Sequence, residues 1–195
     1  MAREPCFTAL RTREQLGYIV SLSHVTYGGG SNSEVSALAV SVVSKVAAPG
    51  RLEERADAFL ATWQHELAAT PPDAFAAAQA ALVTQLLEPP RRLATEAARW
   101  WGEVERGDLQ WRRPEQRAAA VARLALGDVA ACLATRVLDP KLRRRVAMHV
   151  HGNNHPLAES SGVGQGIEVV SRGALVAWRA SMPLYPAYVD KTEAP

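Results

Sequence analysis

Beyond Gly17 the apolar residues recur at every second position: Tyr18, Val20 and Leu22 share one face, with Ile19, Ser21 and Ser23 on the other. Leu38, Val40, Val42 and Val46 repeat the same period further along. Side chains alternate across a strand, so both runs predict strands. Three glycines and Asn32 between Tyr27 and Ser33 supply a flexible turn, and the two runs together predict a hairpin. Ahead of it, Pro5 to Leu16 suits a short helix, with Pro5 at a first helical position and Gly17 ending it in the left-handed conformation. Thr12 with Gln15 also fits a capping box, so a restart of the helix there is the alternative.

After the hairpin the period lengthens. Leu52, Ala56, Phe59, Leu60, Trp63 and Leu67 fall on one helical face, with Glu53 and Glu54 near its positive N-terminal end. Pro71 and Pro72 stop this helix; Phe75, Ala78, Leu82, Val83, Leu86 and Leu87 mark a second, and Pro89 and Pro90 interrupt that. Leu93, Ala97, Trp100, Trp101 and Val104 mark a third. Ala118 to Leu126 and Val129 to Val137 add two helical segments, divided by Gly127 and by Asp128 as an N-cap. Val146, Met148 and Val150 then alternate with Ala147, His149 and His151, predicting a further strand; Gly152 to Gly166 reads as a loop, followed by a short mixed tail. The expected fold class is α+β, an antiparallel sheet with helices packed on one face, in a single domain over 1–195.

Composition narrows the classes. A chain of 195 residues with 48% hydrophobic content has room for a sizeable core. Lys plus Arg number 22 against 20 Asp plus Glu, a formal charge of +2, and no run of five or six like charges suggests a nucleic-acid arm. Nucleic acid is not an expected partner. Cys6 and Cys132 stand far apart, which suggests neither a disulfide framework nor a cysteine-rich zinc site and fits a reducing, cytoplasmic setting. No eighteen-residue apolar run is present, so no membrane span is expected; the ending Thr192-Glu193-Ala194-Pro195 is not the Ser-Lys-Leu peroxisomal address.

Several residue groups suggest chemistry. His149, His151 and His155 resemble a metal cluster, since alternate strand residues share a face, but no carboxylate or cysteine stands near them in sequence and a solvated strand end is the expected reading. Arg91 and Arg92 after two prolines read as a solvated face rather than a polyanion site. Trp100 and Trp101 are expected in the core or at a domain contact, and Gly28-Gly29-Gly30 lacks the spacing and the lysine of a phosphate loop.

The sequence Leu10-Arg11-Thr12-Arg13-Glu14-Gln15-Leu16-Gly17-Tyr18-Ile19-Val20 resembles a segment near the C-terminus of the insulysin, nardilysin and pitrilysin group of zinc metallopeptidases. Further blocks follow in the same order: Glu4-Pro5-Cys6-Phe7 before it, then Pro90-Arg91-Arg92-Leu93 leading to Trp101-Gly102-Glu103, a basic run into Val146 to Val150, and Pro183-Leu184-Tyr185-Pro186. The resemblance implies the fourth, C-terminal-lobe domain of a clamshell that degrades peptides in an enclosed chamber. In that group zinc belongs to the first half, on an inverted H-x-x-E-H motif. None of the five histidines here stands in that arrangement, so no metal ligand is expected in this chain and no peptidase activity from it alone.

By the same resemblance, Arg11 and Tyr18 reach the substrate across the chamber. A phenol can donate a hydrogen bond to the oxygen that gains charge when a peptide carbonyl is attacked, the role implied for Tyr18. Arg11 offers a planar fork of donors for substrate carbonyls or a carboxylate. A full domain of this kind would begin with a strand and a helix ahead of Pro5. The sheet is therefore expected to lack a member, leaving apolar faces of the hairpin and of the Phe59 and Trp63 helix only partly covered. Two function classes remain open: the substrate-binding part of a zinc endopeptidase completed by an N-terminal catalytic half, or an inactive peptide-binding or assembly module, the product of a truncated gene included.

Overall fold

The computed structural model describes residues 1–27, 35–107, 109–155 and 171–181. The chain enters as α1 (Arg3–Phe7) and widens without a break into a π-helical turn, Thr8–Arg13. Cys6 and Leu10, four residues apart, point the same way and are fully buried. The helix begins before Pro5 and stops at Arg13, with no restart at Thr12. Its end is closed by the Leu16 N–H donating to Leu10 O at 3.0 Å and by Gln15, whose φ of +52° takes the left-handed conformation expected of Gly17.

The hairpin forms as its period requires. Strands β1 (Ile19–Tyr27) and β2 (Val35–Val43) pair antiparallel from Ile19 opposite Val43 to Tyr27 opposite Val35. Val20 and Leu22 turn inward and are buried, while Val40 and Val42 on β2 pack against the same cluster. The turn foreseen at 28–34 lies outside the described residues.

Helix α2 (Pro49–Ala68) lays Phe59, Leu60, Trp63 and Leu67 over that face, and all four are buried. Phe59 and Trp63 stack with ring centres 6.5 Å apart. Phe59 and Trp63, expected to be only partly covered, are thus buried, because the Thr8–Arg13 turn and a later helix pack against α2. That later helix, α6 (Leu126–Cys132), runs into a second π-helical turn, Leu133–Leu138, which contributes buried Leu133. Gly127 lies inside α6 rather than before it. Asp128 does not cap as the flanking residue; its carboxylate accepts the Ala125 N–H at 2.8 Å from the first turn.

Between these elements the chain forms α3 (Pro72–Leu87), α4 (Leu93–Arg106) and α5 (Arg113–Val121), with α3 packed on α5. A last helix, α7 (Arg172–Ser181), follows. No single helix among the described residues is long and apolar enough to cross a membrane.

The strand expected at 146–150 is not formed, and the sheet among the described residues has two strands. Val146, Met148 and Val150 alternate as a strand would, yet are 81–90% exposed, since no neighbouring edge meets them. The segment is held instead by charge. Arg145 reaches Glu53 and lies 2.6 Å from Asp57, Arg143 lies 3.7 Å from Asp57, and His149 Nε2 lies 2.7 Å from Glu53, all against α2. The architecture is α+β, with helices over one face of an antiparallel hairpin.

Candidate functional site

Arg11 and Tyr18 are seven residues apart in sequence and adjacent in space. Arg11 stands in the π-helical turn, four residues after Phe7, and its Cζ lies 4.9 Å from the centre of the Phe7 ring. The backbone then turns back at Gln15 and runs through Gly17 to the start of the sheet. Tyr18 donates its N–H to Val43 O at 2.9 Å, one residue before the β1 ladder opens. Its ring comes over the same guanidinium, 5.3 Å from Arg11 Cζ. Tyr18 is 76% exposed, so the expectation of a shared inward face with Val20 and Leu22 gives way at this residue: it precedes the ladder and turns its phenol outward.

Two aromatic rings therefore lie within cation–π reach of Arg11, attracted by its charge. Its N–H edges have no carboxylate partner among the described residues. The acid at this helix end is committed elsewhere. Glu14, at the end of the same helix, accepts from Arg55 Nε and Nη2 at 2.6 and 2.8 Å, a bidentate pair. The Arg55 hydrogen bond holds the Glu14 carboxyl below the usual carboxylate value, against a smaller opposing effect of burial. One cation is neutralised, and the other is left with donors to offer.

Gly17 makes the approach possible. A Cβ there would meet Val43 O at 2.5 Å and Val42 Cγ1 at 3.0 Å, closer than any side chain can stand to a backbone oxygen.

The histidine group does not form a metal site. His149 pairs with Glu53, the His149 and His151 rings lie 6.2 Å apart, and His151 Nδ1 bonds His155 O at 3.0 Å. Among the described residues no three His, Cys, Asp or Glu converge in a way that could hold a metal ion. Arg91 is solvated and, among the described residues, pairs with Glu88 at 2.7 Å. Trp101 is 61% exposed, donating Nε1 to Glu105 at 2.9 Å, and Trp100 rests on Trp111 with ring centres 5.8 Å apart, so neither is core. Pro183 to Pro186 lies outside the described residues.

Sequence reasoning missed the pair that binds α4 to α5. Glu103 is 4% exposed and accepts from Arg113 Nε and Nη2 at 2.7 and 3.0 Å, and also from Arg106. The signal was present: Glu103 closes the Trp101-Gly102-Glu103 block, and an acid inside an otherwise apolar stretch needs a partner.

The comparisons with known proteins identify this helix-and-hairpin unit as a C-terminal peptidase-family domain. Residues 1–101 match the family described as PQQ synthase PqqF-like, C-terminal lobe domain 4, and the chain belongs to this family. It is 30% identical over 148 residues to insulin-degrading enzyme of Homo sapiens, covering 75% of this chain and 14% of that one. It is 24% identical over 193 residues to insulin-degrading enzyme-like 1, peroxisomal, of Arabidopsis thaliana, covering 96% and 19%. The crystal structure of pitrilysin superposes with a TM-score of 0.61 at 26% identity, over 80% of this chain and 17% of that one. The chain thus spans less than a fifth of the length of these relatives.

Proposed function

We propose that this chain is the substrate-binding, non-zinc-bearing part of an insulin-degrading-enzyme-like endopeptidase, completed by an N-terminal catalytic half on the same or a separate polypeptide. One observation carries the reading: Arg11 and Tyr18 meet at an exposed surface, with the N–H edges of the first and the hydroxyl of the second turned to no other group of the described chain. An arginine held against aromatic rings rather than a carboxylate keeps its N–H donors for carbonyl or carboxylate oxygens of a peptide. The Tyr18 hydroxyl then donates to the carbonyl oxygen as it gains charge, and the catalytic half, in the cytoplasm, supplies the nucleophile.

Steady-state kinetics of the assembled enzyme test this on one short peptide. Tyr18→Phe removes the hydroxyl and keeps the ring over Arg11, so kcat and kcat/KM fall together by roughly one to three orders of magnitude, with KM little changed. Arg11→Lys keeps the charge and loses the fork, and its penalty falls partly on KM. Wild-type kcat in Tyr18→Phe, at an unchanged melting temperature, would leave the chain a peptide-binding scaffold. The chain alone is expected to cleave nothing, with or without added zinc; turnover that a chelator abolishes and that survives size-exclusion chromatography would overturn this.

A further inference from the structure

Arg11 is a four-carbon side chain on a helix end, and nothing about its charge fixes where its guanidinium lies. With no carboxylate to hold it, a half-buried arginine such as Arg11 still has several rotamers open to it, and ordering it on a ligand costs conformational entropy. The structure supplies two restraints of another kind. Phe7, half-buried and one helical turn back, lies 4.9 Å beneath Arg11 Cζ. It lines a small cavity of about 310 Å³ with Arg3, Glu4, Val20 and Ser21. Tyr18 approaches from the sheet, and its path depends on the side-chain-free approach of Gly17 to Val43 O.

We infer that Phe7 and Gly17 are positioning residues for peptide recognition: Phe7 keeps the Arg11 guanidinium over its ring from the helix, and Gly17 lets the Tyr18 backbone close on β2 so that the Tyr18 ring reaches the same guanidinium. This rests on the reading of Arg11 as a peptide-binding residue. Neither residue needs to touch the peptide. Their effect is to present the Arg11 donors already oriented, which lowers the cost of binding.

The test uses the 195-residue chain as it stands. The Nε–Hε resonance of Arg11 is observed by NMR in the wild type, Phe7→Leu, Phe7→Trp and Gly17→Ala, and the affinity of each for a short unlabelled peptide is measured. Stacked rings displace the Arg11 signal upfield. Phe7→Leu keeps an apolar side chain and loses the ring, so the signal moves toward the free-arginine position and peptide affinity falls about two- to fivefold, the size of one exposed cation–π contact. Phe7→Trp restores both. Gly17→Ala speeds exchange of the Tyr18 amide and releases the signal in part; if it fails to fold, the Phe7 pair still decides. An Arg11 resonance unchanged in Phe7→Leu would falsify the inference, as would equal losses in the Leu and Trp variants. Arg11→Ala separates the two levels: unchanged peptide affinity there sinks the substrate-binding reading and the positioning role with it, while lost affinity in Arg11→Ala together with an unmoved signal in Phe7→Leu sinks the positioning role alone.

Discussion

Two regions of this chain are built by opposite means. Around the hairpin, α1, α2 and α6 bury Cys6, Leu10, Val20, Leu22, Phe59, Leu60, Trp63, Leu67 and Leu133 in one apolar cluster. In the α3–α5 region the buried residues are Ala118, Glu103 and Arg113. There α4 turns its acid and its arginines toward α5, while Leu93, Trp101 and Val104 on its other face are 45–82% exposed. Gln79 fastens α3 to the end of α5 by donating to Val121 O and Leu124 O at 2.7 and 3.0 Å. The first region is held by non-directional burial and tolerates small shifts. The second is held by a few directional bonds and fails when one partner is removed. The candidate site belongs to the first, so the stiffness of Arg11 and Tyr18 does not depend on the polar region.

The sharpest break of this contrast is Glu103→Ala, which removes the buried carboxylate that Arg113 and Arg106 share. A loss of roughly 3–5 kcal/mol is expected, confined to α3–α5. Hydrogen exchange reads it as loss of protection in α4 and α5 with β1 and β2 unchanged; a uniform loss would show that the regions unfold as one. Leu10→Ala, at a fully buried site, is expected to cost about 3 kcal/mol and to lower protection of the hairpin and α2 together, measured by urea denaturation.

Acid separates the regions without mutation. The Arg113 hydrogen bond, followed by that of Arg106, draws the Glu103 carboxyl down to about 2 from its ordinary 4.5, against the opposing effect of burial. A depressed carboxylate contributes its stability fully above the unfolded value, and that contribution is lost as pH falls through the folded one. Between pH 4.5 and 2 the α4–α5 contact is therefore expected to loosen, followed by tryptophan emission in a Trp63→Phe background. No change down to pH 2 would mean that other contacts hold these helices. The smallest effect belongs to the exposed stripe: Leu93→Ala, at 82% exposure, should alter stability by no more than about 0.5 kcal/mol.

Where periodicity and burial agree, the sequence was readable. The hairpin, α2 and the inward turn of Val20, Leu22, Phe59 and Trp63 all follow from alternation or the 3.6-residue stripe. Where a period is satisfied by nothing, the reading failed: residues 146–150 alternate perfectly, but a strand also needs an edge to pair with, and pattern says nothing of that. The α4 stripe failed similarly, since apolar spacing predicts a face but not whether anything covers it. Arg11 and Tyr18 were legible as a pair only by likeness to the peptidase group. Their contact needed the left-handed Gln15 and the close approach at Gly17, and neither leaves a mark in composition. The i, i+4 spacing of Phe7 and Arg11 was available and passed unread.

The widened turn from Thr8 to Arg13 makes the site a matter of counting. A deletion between Phe7 and Arg11 changes the angle between that ring and the guanidinium, and one between Arg11 and Tyr18 changes the return path to the second ring, each while leaving every other letter in place. Alignments that open a gap there can keep high identity and still describe a protein without the arginine–tyrosine pair. In comparing members of this family, the length of that segment is thus as diagnostic as the two residues it brings together.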